Sequence, residues 1–391
     1  MYKRQVYLNT VNNATLNNVD ISNSAQTGIN GLGVSNFTYT NGIISSSGSS
    51  ANEDGIDLRN LSGVINLTNS SINTSGERGL LVRNNSGTIS AFTITNLTVN
   101  GASLGDGALI DLQAGGSANA TINVTSSTFT NAFSEGLQVN NEGSGTAAVR
   151  VSSSTFTNNN IGVNLSTNYH AVLNYHISGN TFTNARQAVN VSNVAAAPGA
   201  PYMEGSISNN QISATNSAAI ALWVVQEGNG QITTKIENNT ITQFGDTGID
   251  VQSRGGSGRV DATINGNTVN FGALNFELAG IFLASGNGTP GETNTICVNL
   301  NGNNVSAGGM ALGDYTIDRF SSPSTRFYIQ GLAPSPTNIS GNNVPPNPVG
   351  AYLLASNTAT TVGQEYFIND GAYSAQNCAT VTFSAEPVSP V

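Results

Sequence analysis

Side chains able to move protons or hold cations are few in this sequence, and they bunch. Glu53, Asp54, Glu77, Asp106, Glu135 and Asp246 recur at one point of a repeating pattern, and Asp57, Asp111 and Asp250 follow a few residues on. Arg59, Arg78 and Arg83 fall among them. Two carboxylates about 5–5.5 Å apart can serve a retaining glycosidase, and about 6.5–9.5 Å apart an inverting one. A column of carboxylates can also hold Ca²⁺, which would acidify the α-proton of a uronate for a lyase using Arg or Lys as base. On this reading Asp54, Asp57, Asp106, Asp111, Arg59 and Arg83 are the candidate catalytic residues, with Glu77 and Glu135 as candidate ligand-binding residues. The alternative is a solvated face on which a few charges fall into line by chance.

A second strip holds Asn123, Arg150, His176, Lys235, Thr263 and Asn299 at equivalent outward positions. Arg150 and His176 are expected to be neighbours, and a basic strip can meet an acidic sugar or be ordinary surface. Trp223, the single tryptophan, either presents a sugar-stacking platform or packs under the loop from Asn193 to Tyr202. His170, at a turn, has no partner signal. Two cysteines, Cys297 and Cys378, are too few for a disulfide framework. They form one closing bridge in an oxidising compartment, or they are two buried thiols.

Composition narrows the partners. Net charge is −10, which excludes the basic footprint that nucleic acid requires. No apolar run approaches the roughly 20 residues of a membrane-spanning helix. Charged residues make up only 9% of the chain, but hydrophobic residues reach 38% and are patterned, unlike a disordered polar tract. Met1–Gln5 (MYKRQ) reads as translated adapter sequence from library preparation, so residues 1–5 are set apart from the fold, and the missing signal peptide carries no information about location.

The elements that must position these side chains come from a repeat. Its unit is an Asn-rich turn, one apolar anchor, and then Thr, Ser or Asn. Anchors are Ile21, Ile44, Ile72, Val99, Phe129, Phe156, Phe182, Ile212, Ile241, Val269, Val305 and Val344. Spacings from Ile21 to Val269 run 23, 28, 27, 30, 27, 26, 30, 29 and 28, then lengthen to 36 and 39. Alternating apolar pairs precede the anchors (Ile122/Val124, Val149/Val151, Tyr175/Ile177) and follow them (Leu137/Val139, Val163/Leu165, Val189/Val191, Ile249/Val251). Period-two alternation means half-buried strands, so each repeat is a coil of three short strands. One coil buries too little apolar surface to offset its own ordering, so coils must stack. Phe129, Phe156 and Phe182 then form an aromatic ladder. Three residues before the anchors, Asn18, Asn41, Asn69, Asn96, Asn209 and Asn238 alternate with glycines such as Gly179, as left-handed turns require. The many Asn-x-Ser/Thr triplets that result, such as Asn66-Leu67-Thr68, are by-products of composition and not glycosylation sites.

These coils resemble right-handed parallel β-helix proteins of the pectin-lyase-like fold, the fold of pectate lyases, polygalacturonases and phage tailspikes. The Asn/Thr/Ser-rich, low-charge style is most similar to secreted bacterial repeat proteins and autotransporter-type passengers. The resemblance covers residues 6–310 and implies an all-β solenoid of about eleven coils. Residues 311–391 are expected to form a C-terminal cap, with strands at Asp314–Phe320 and Arg326–Leu332, a helix at Val349–Ser356 and a last strand at Val381–Phe383. In this arrangement Cys297 would bridge to Cys378. The Asn-Thr-Asp, Asp-Asp, Gly-His-Gly and Arg-Ile-Lys signatures of polygalacturonases are missing, as is a Trp-x-Asp-His motif. The expectation is therefore a non-catalytic extracellular or bacterial cell-surface stalk, adhesin-like, meeting glycans or a host surface through its turns. A polysaccharide lyase or glycoside hydrolase is the alternative.

Overall fold

The computed structural model describes residues 5–48, 50–194, 201–213, 220–270, 279–306, 313–320, 324–333, 337–339, 347–360, 365–369 and 371–383. The Val344 anchor, residues 1–4 of the adapter-like start and residues 195–200 of the loop before Tyr202 lie outside them.

Alternating patterns become a parallel β-solenoid with three walls. The first wall is a sheet of thirteen strands, each paired with the equivalent strand of the next coil. Eleven of these, from Val6–Asn9 to Ala279–Ser285, precede residue 311; Gly313–Arg319 and Tyr366–Ile368 supply the other two. The second wall contains strands such as Asn119–Thr125, Thr146–Ser152 and Val172–Ser178. The third is built from three-residue strands such as Thr128–Thr130, Thr155–Thr157 and Thr181–Thr183. Among the described residues one pairing is antiparallel, Thr337–Ile339 with Gly371–Ser374.

Like stacks on like, as the spacings require. Ile122, Val149 and Tyr175 fall in register, as do Val124, Val151 and Ile177, and all are buried. Phe129 and Phe156 stack with ring centres 5.2 Å apart, and Phe156 and Phe182 at 5.0 Å. Offset stacking adds to the area each ring removes from water. The turn asparagines adopt left-handed backbone: φ is 54° at Asn18, 51° at Asn96 and 52° at Asn238.

One position nearer the anchor, the structure holds a feature that the spacing alone does not reveal. Asn180, Asn210, Asn239, Asn267, Asn303 and Asn357 are buried at the corner between the second and third walls. Each amide nitrogen from Asn180 to Asn303 donates to the next coil's amide oxygen at 2.9–3.0 Å. The same nitrogens reach back to carbonyl oxygens of the preceding coil, Val151, Ile177, Ile207, Ile236 and Ile264, at 2.8–3.0 Å. Each acceptor oxygen also takes a backbone N–H, such as that of Asn210 at Asn239.

The C-terminal helix spans Pro348–Ser356, one residue longer than expected. Asn347 caps it by accepting from the N–H groups of Val349 and Gly350, and Pro348 suits the first helical turn because its missing N–H is not needed there. The helix delivers Asn357 onto the end of the amide ladder. Cys297 and Cys378 are bonded to each other. One expectation fails: Val381–Phe383 pairs with no strand, and the N–H groups of Thr382 and Phe383 are taken by a side chain on the second wall.

Replacing Asn239 by alanine removes the acceptor of the Asn210 N–H and of one of the two Asn210 amide bonds, in a dry corner. At about 1–3 kcal/mol per unsatisfied group, Asn239→Ala is expected to lower the urea unfolding midpoint markedly. Asn238→Gly, one residue away but exposed and already left-handed, is expected to leave it nearly unchanged. Equal effects at the two positions would contradict the ladder's role.

Candidate functional site

The acid and arginine column lies where the chain turns into the first wall. Glycines sit immediately before these strands because adjacent coils touch there. A Cβ on Gly79 would lie 2.5 Å from the Gly107 carbonyl oxygen, and one on Gly107 2.5 Å from that of Gly136. The residue before each glycine carries the chemistry: Thr27, Asp54, Arg78, Asp106 and Glu135.

Buried carboxylates here hold backbone rather than face solvent. Asp54 and Asp106 are 1% and 5% exposed. The Asp54 N–H donates to Thr27 Oγ1 at 3.2 Å, the Arg78 N–H to Asp54 Oδ1 at 3.1 Å, and the Glu135 N–H to Asp106 Oδ1 at 3.3 Å. Arg78 sits among the acids, with Nη2 2.6 Å from Glu77, Nη1 3.8 Å from Asp54 and Nε 3.7 Å from Asp106. Glu77 also accepts the Asn52 N–H at 2.5 Å, and Ser134 donates to Glu135. Burial lifts the Asp54 carboxyl to about 7 against the pull of Arg78. Burial also lifts Asp106, with the neighbouring Glu135 carboxyl adding to the effect.

Asp57 and Asp111 are not in one column. Register places Arg59, Arg83 and Asp111 above one another, with Asp57 level with Leu81 and Leu109. Asp57 pairs with Arg59 at 2.9–3.2 Å, and Asp111 with Arg83 at 2.9 Å. Asp111 lines a cleft of about 390 Å³ with Asn85, Gln113, Ala114 and Glu142, near the C-terminal ends of the first-wall strands, whereas Asp54 precedes them. The six catalytic candidates therefore divide into separate ion-paired groups.

A different cluster forms further along the first wall. Its outward column runs Gln138, Asn164, Asn190, Trp223, Asp250 and Phe282 in register. Trp223 points outward between buried Leu222 and Val224. The Asn190 amide donates to Asn164 at 3.0 Å. Beside the indole, Glu227, Arg254, Gln252 and Asp250 form a hydrogen-bonded chain, and the Arg254 guanidinium lies 5.6 Å from the ring centre. Trp223 Nε1 and Asn190 Oδ1 are buried and have no hydrogen-bond partner among the described residues, so what the patch offers to solvent is the exposed part of the indole and the polar groups beside it. Burial raises the Asp250 carboxyl to about 7, with Gln252 opposing and Asp246 adding to the rise.

On the second wall Arg150 and His176 are adjacent, as expected. His176 Nδ1 lies 2.6 Å from Ser206 Oγ, and burial followed by the Arg150 charge lowers its basicity. Lys235 pairs with Glu237 at 2.7 Å. The sequence reading missed Asn164, Asn190, Gln252 and Arg254. For two of them a signal was present: Asn164 and Asn190 are the middle residues of the apolar pairs Val163/Leu165 and Val189/Val191, as the already noted Asp250 is of Ile249/Val251.

Set against known protein families, characterised proteins and solved structures, the chain matches none.

Asp54 and Asp250 have folded-state values near 7 against an ordinary 3.8. Their contribution to stability is complete below about pH 4 and is lost as pH rises through 7. The melting temperature is expected to be higher at pH 5 than at pH 8, and Asp54→Asn with Asp250→Asn should flatten that slope. A melting temperature rising from pH 5 to pH 8 in the unaltered chain would reverse the assignment.

Proposed function

We propose that the chain is a non-catalytic β-helical stalk of the bacterial cell surface or extracellular space that binds glycans. The observation that carries this reading is the Trp223 patch. An indole face with Asn190, Asp250 and Gln252 around it suits a sugar ring, whose C–H face stacks on an aromatic while its hydroxyls take amides and carboxylates. The patch is pre-organised, since Asn190 and Asp250 are 8% and 4% exposed and little side-chain freedom is left to lose on binding. The pectin-lyase-like and autotransporter-type resemblance adds an association with polysaccharide and with secretion, and it rests on the repeats alone.

The acid column supports the non-catalytic half of the reading. A general acid must reach a leaving-group oxygen. Asp54 and Asp106 instead spend a carboxylate oxygen on the next coil's N–H. The enzyme reading retains one favourable observation: carboxyls lifted toward neutrality by burial have the character of a general acid.

Glycan-array binding by the purified chain tests the proposal. Trp223→Ala is expected to weaken the strongest glycan about tenfold or more, the usual size for an aromatic anchor, while leaving the melting temperature close to that of the parent. Absence of binding across neutral and acidic glycans would refute the stalk-with-patch reading. Release of new reducing ends or unsaturated uronates, abolished by Asp54→Asn, would establish the enzyme instead.

A further inference from the structure

After the strand Gly371–Ser374 the chain does not leave the solenoid. Residues 375–383 turn back and run along its long axis over the outside of the second wall. They follow one outward column. Strand register stacks Glu204, Thr233, Asp261, Cys297, Tyr328 and Ser374 above one another. Starting from Ser374, the strap meets the column at three places. Cys378 is bonded to Cys297. The Ala379 N–H donates to Asp261 Oδ1 at 3.0 Å. Glu204 Oε1 accepts the Thr382 N–H, the Thr382 hydroxyl at 2.8 Å and the Phe383 N–H at 3.0 Å. The Phe383 ring then lies 5.1 Å from the Arg150 guanidinium.

The spacing fits an extended peptide. Cys297 to Glu204 is three coils, about 14 Å at about 4.8 Å per coil, and Cys378 to Thr382 is four residues, also about 14 Å at about 3.4 Å each. Recognition is of backbone: four of the strap's bonds to the column use N–H groups or one hydroxyl, and Ala379, Thr380 and Thr382 stay exposed. Both carboxylates are also held from behind by groups that belong to the solenoid. Arg259 grips Asp261 with Nε and Nη2 at 2.6 and 2.7 Å, and the Tyr202 hydroxyl donates to Glu204 Oε2 at 3.0 Å. Asp261 is fully buried and Glu204 is 8% exposed. The acceptors therefore keep their aim when the strap is gone, ready for the N–H groups of another extended segment.

We propose that this column is a peptide-recognition groove, occupied in cis by residues 378–383, and that breaking the Cys297–Cys378 bond opens it to an extended peptide from outside. A dithiol supplies the two electrons and two protons: the S–S bond breaks, two thiols form on the chain, and the dithiol closes to its own disulfide. The ligand class is an extended segment with consecutive free N–H groups and an aromatic residue at the Arg150 end. While the disulfide stands, the tethered strap keeps a high effective concentration and excludes it. The groove lies on a different wall from the Trp223 patch, so the two readings fail independently.

The probe is a fluorescein-labelled peptide with the sequence of Gln376–Phe383, serine replacing the cysteine, added to the full chain. No binding is expected to the disulfide-bonded protein. After dithiothreitol, saturable binding should appear, weakened about tenfold or more by Glu204→Gln, the size of a lost charge-assisted hydrogen bond set. Hydrogen exchange runs in parallel. Reduction should release the amides of Ala379, Thr382 and Phe383 while those of Tyr202–Ser208 stay protected. If the strap amides stay protected after reduction, or are released without peptide uptake, the proposal is overturned. Should the reduced chain lose the solenoid itself, Glu204→Gln in the disulfide-bonded protein decides: exchange at Thr382 and Phe383 must accelerate about tenfold or more, and unchanged exchange there overturns the groove.

Discussion

A buried amide has four hydrogen-bonding sites and no water to fill them, and the solenoid is organised around meeting that demand. Each asparagine from Asn210 to Asn303 touches three coils: a carbonyl on the coil before, its own turn, and the amide of the coil after. Leaving any of these groups unpaired in a dry interior costs more than making the bond gains. The position of each turn is thereby tied to both neighbours, which fixes where the second wall ends and the third begins. Loops elsewhere can vary in length, as the ladder's steps of 36 residues to Asn303 and 54 to Asn357 require, because this corner resets the register every coil. In the earlier coils a serine does a smaller version of the same work. Ser127 and Ser154 each accept a backbone N–H from the preceding coil and donate to a carbonyl two residues back, so a hydroxyl links coils with fewer bonds than an amide.

The same logic governs the scarce charges. Carboxylates that look catalytic as a list of residues become, in the fold, acceptors for the next coil's backbone. Asp54 and Asp106 occupy the position where Thr27 also offers an oxygen, and the glycines that follow let the coils approach closely enough for these bonds to form. Arg78 moderates the charge this leaves behind. A buried network of this kind gains geometric definition more than stability.

Much of the architecture was legible in the sequence because it is periodic. Phe129, Phe156 and Phe182 announce a ladder by their spacing alone, and left-handed asparagines announce turns. Legibility ended where position depends on counting from a distant anchor. Asp57 and Asp111 were grouped because both follow a turn and point outward, but their coils reach the first wall after turns of different length, so they fall two residues apart in register. The amide ladder was hidden in plain view: its residues stand inside the quoted repeats, one place from the asparagines read as turn formers, and burial alone separates the two columns. Trp223 was visible as a lone aromatic, whereas Asn164, Asn190 and Arg254 acquire meaning only when adjacent coils set them beside it.

The strap lies at the far end of that scale, since Thr382 and Glu204 are 178 residues apart and no local pattern joins them. Val381–Phe383 reads as a strand because Val-Thr-Phe has strand character, and the chain there is indeed used as extended backbone. It is not used in a sheet, however. Every second-wall strand between Asn119 and Ile329 already has a parallel neighbour on each side, so the ladder offers no vacant edge, and an extended segment can dock only across the strands, on their outward side chains. Such a surface reads backbone N–H groups when it carries acceptors at intervals matched to an extended chain. Glu204 and Asp261, two coils apart in one column, meet that condition, and the parallel stacking that built the core is what spaced them.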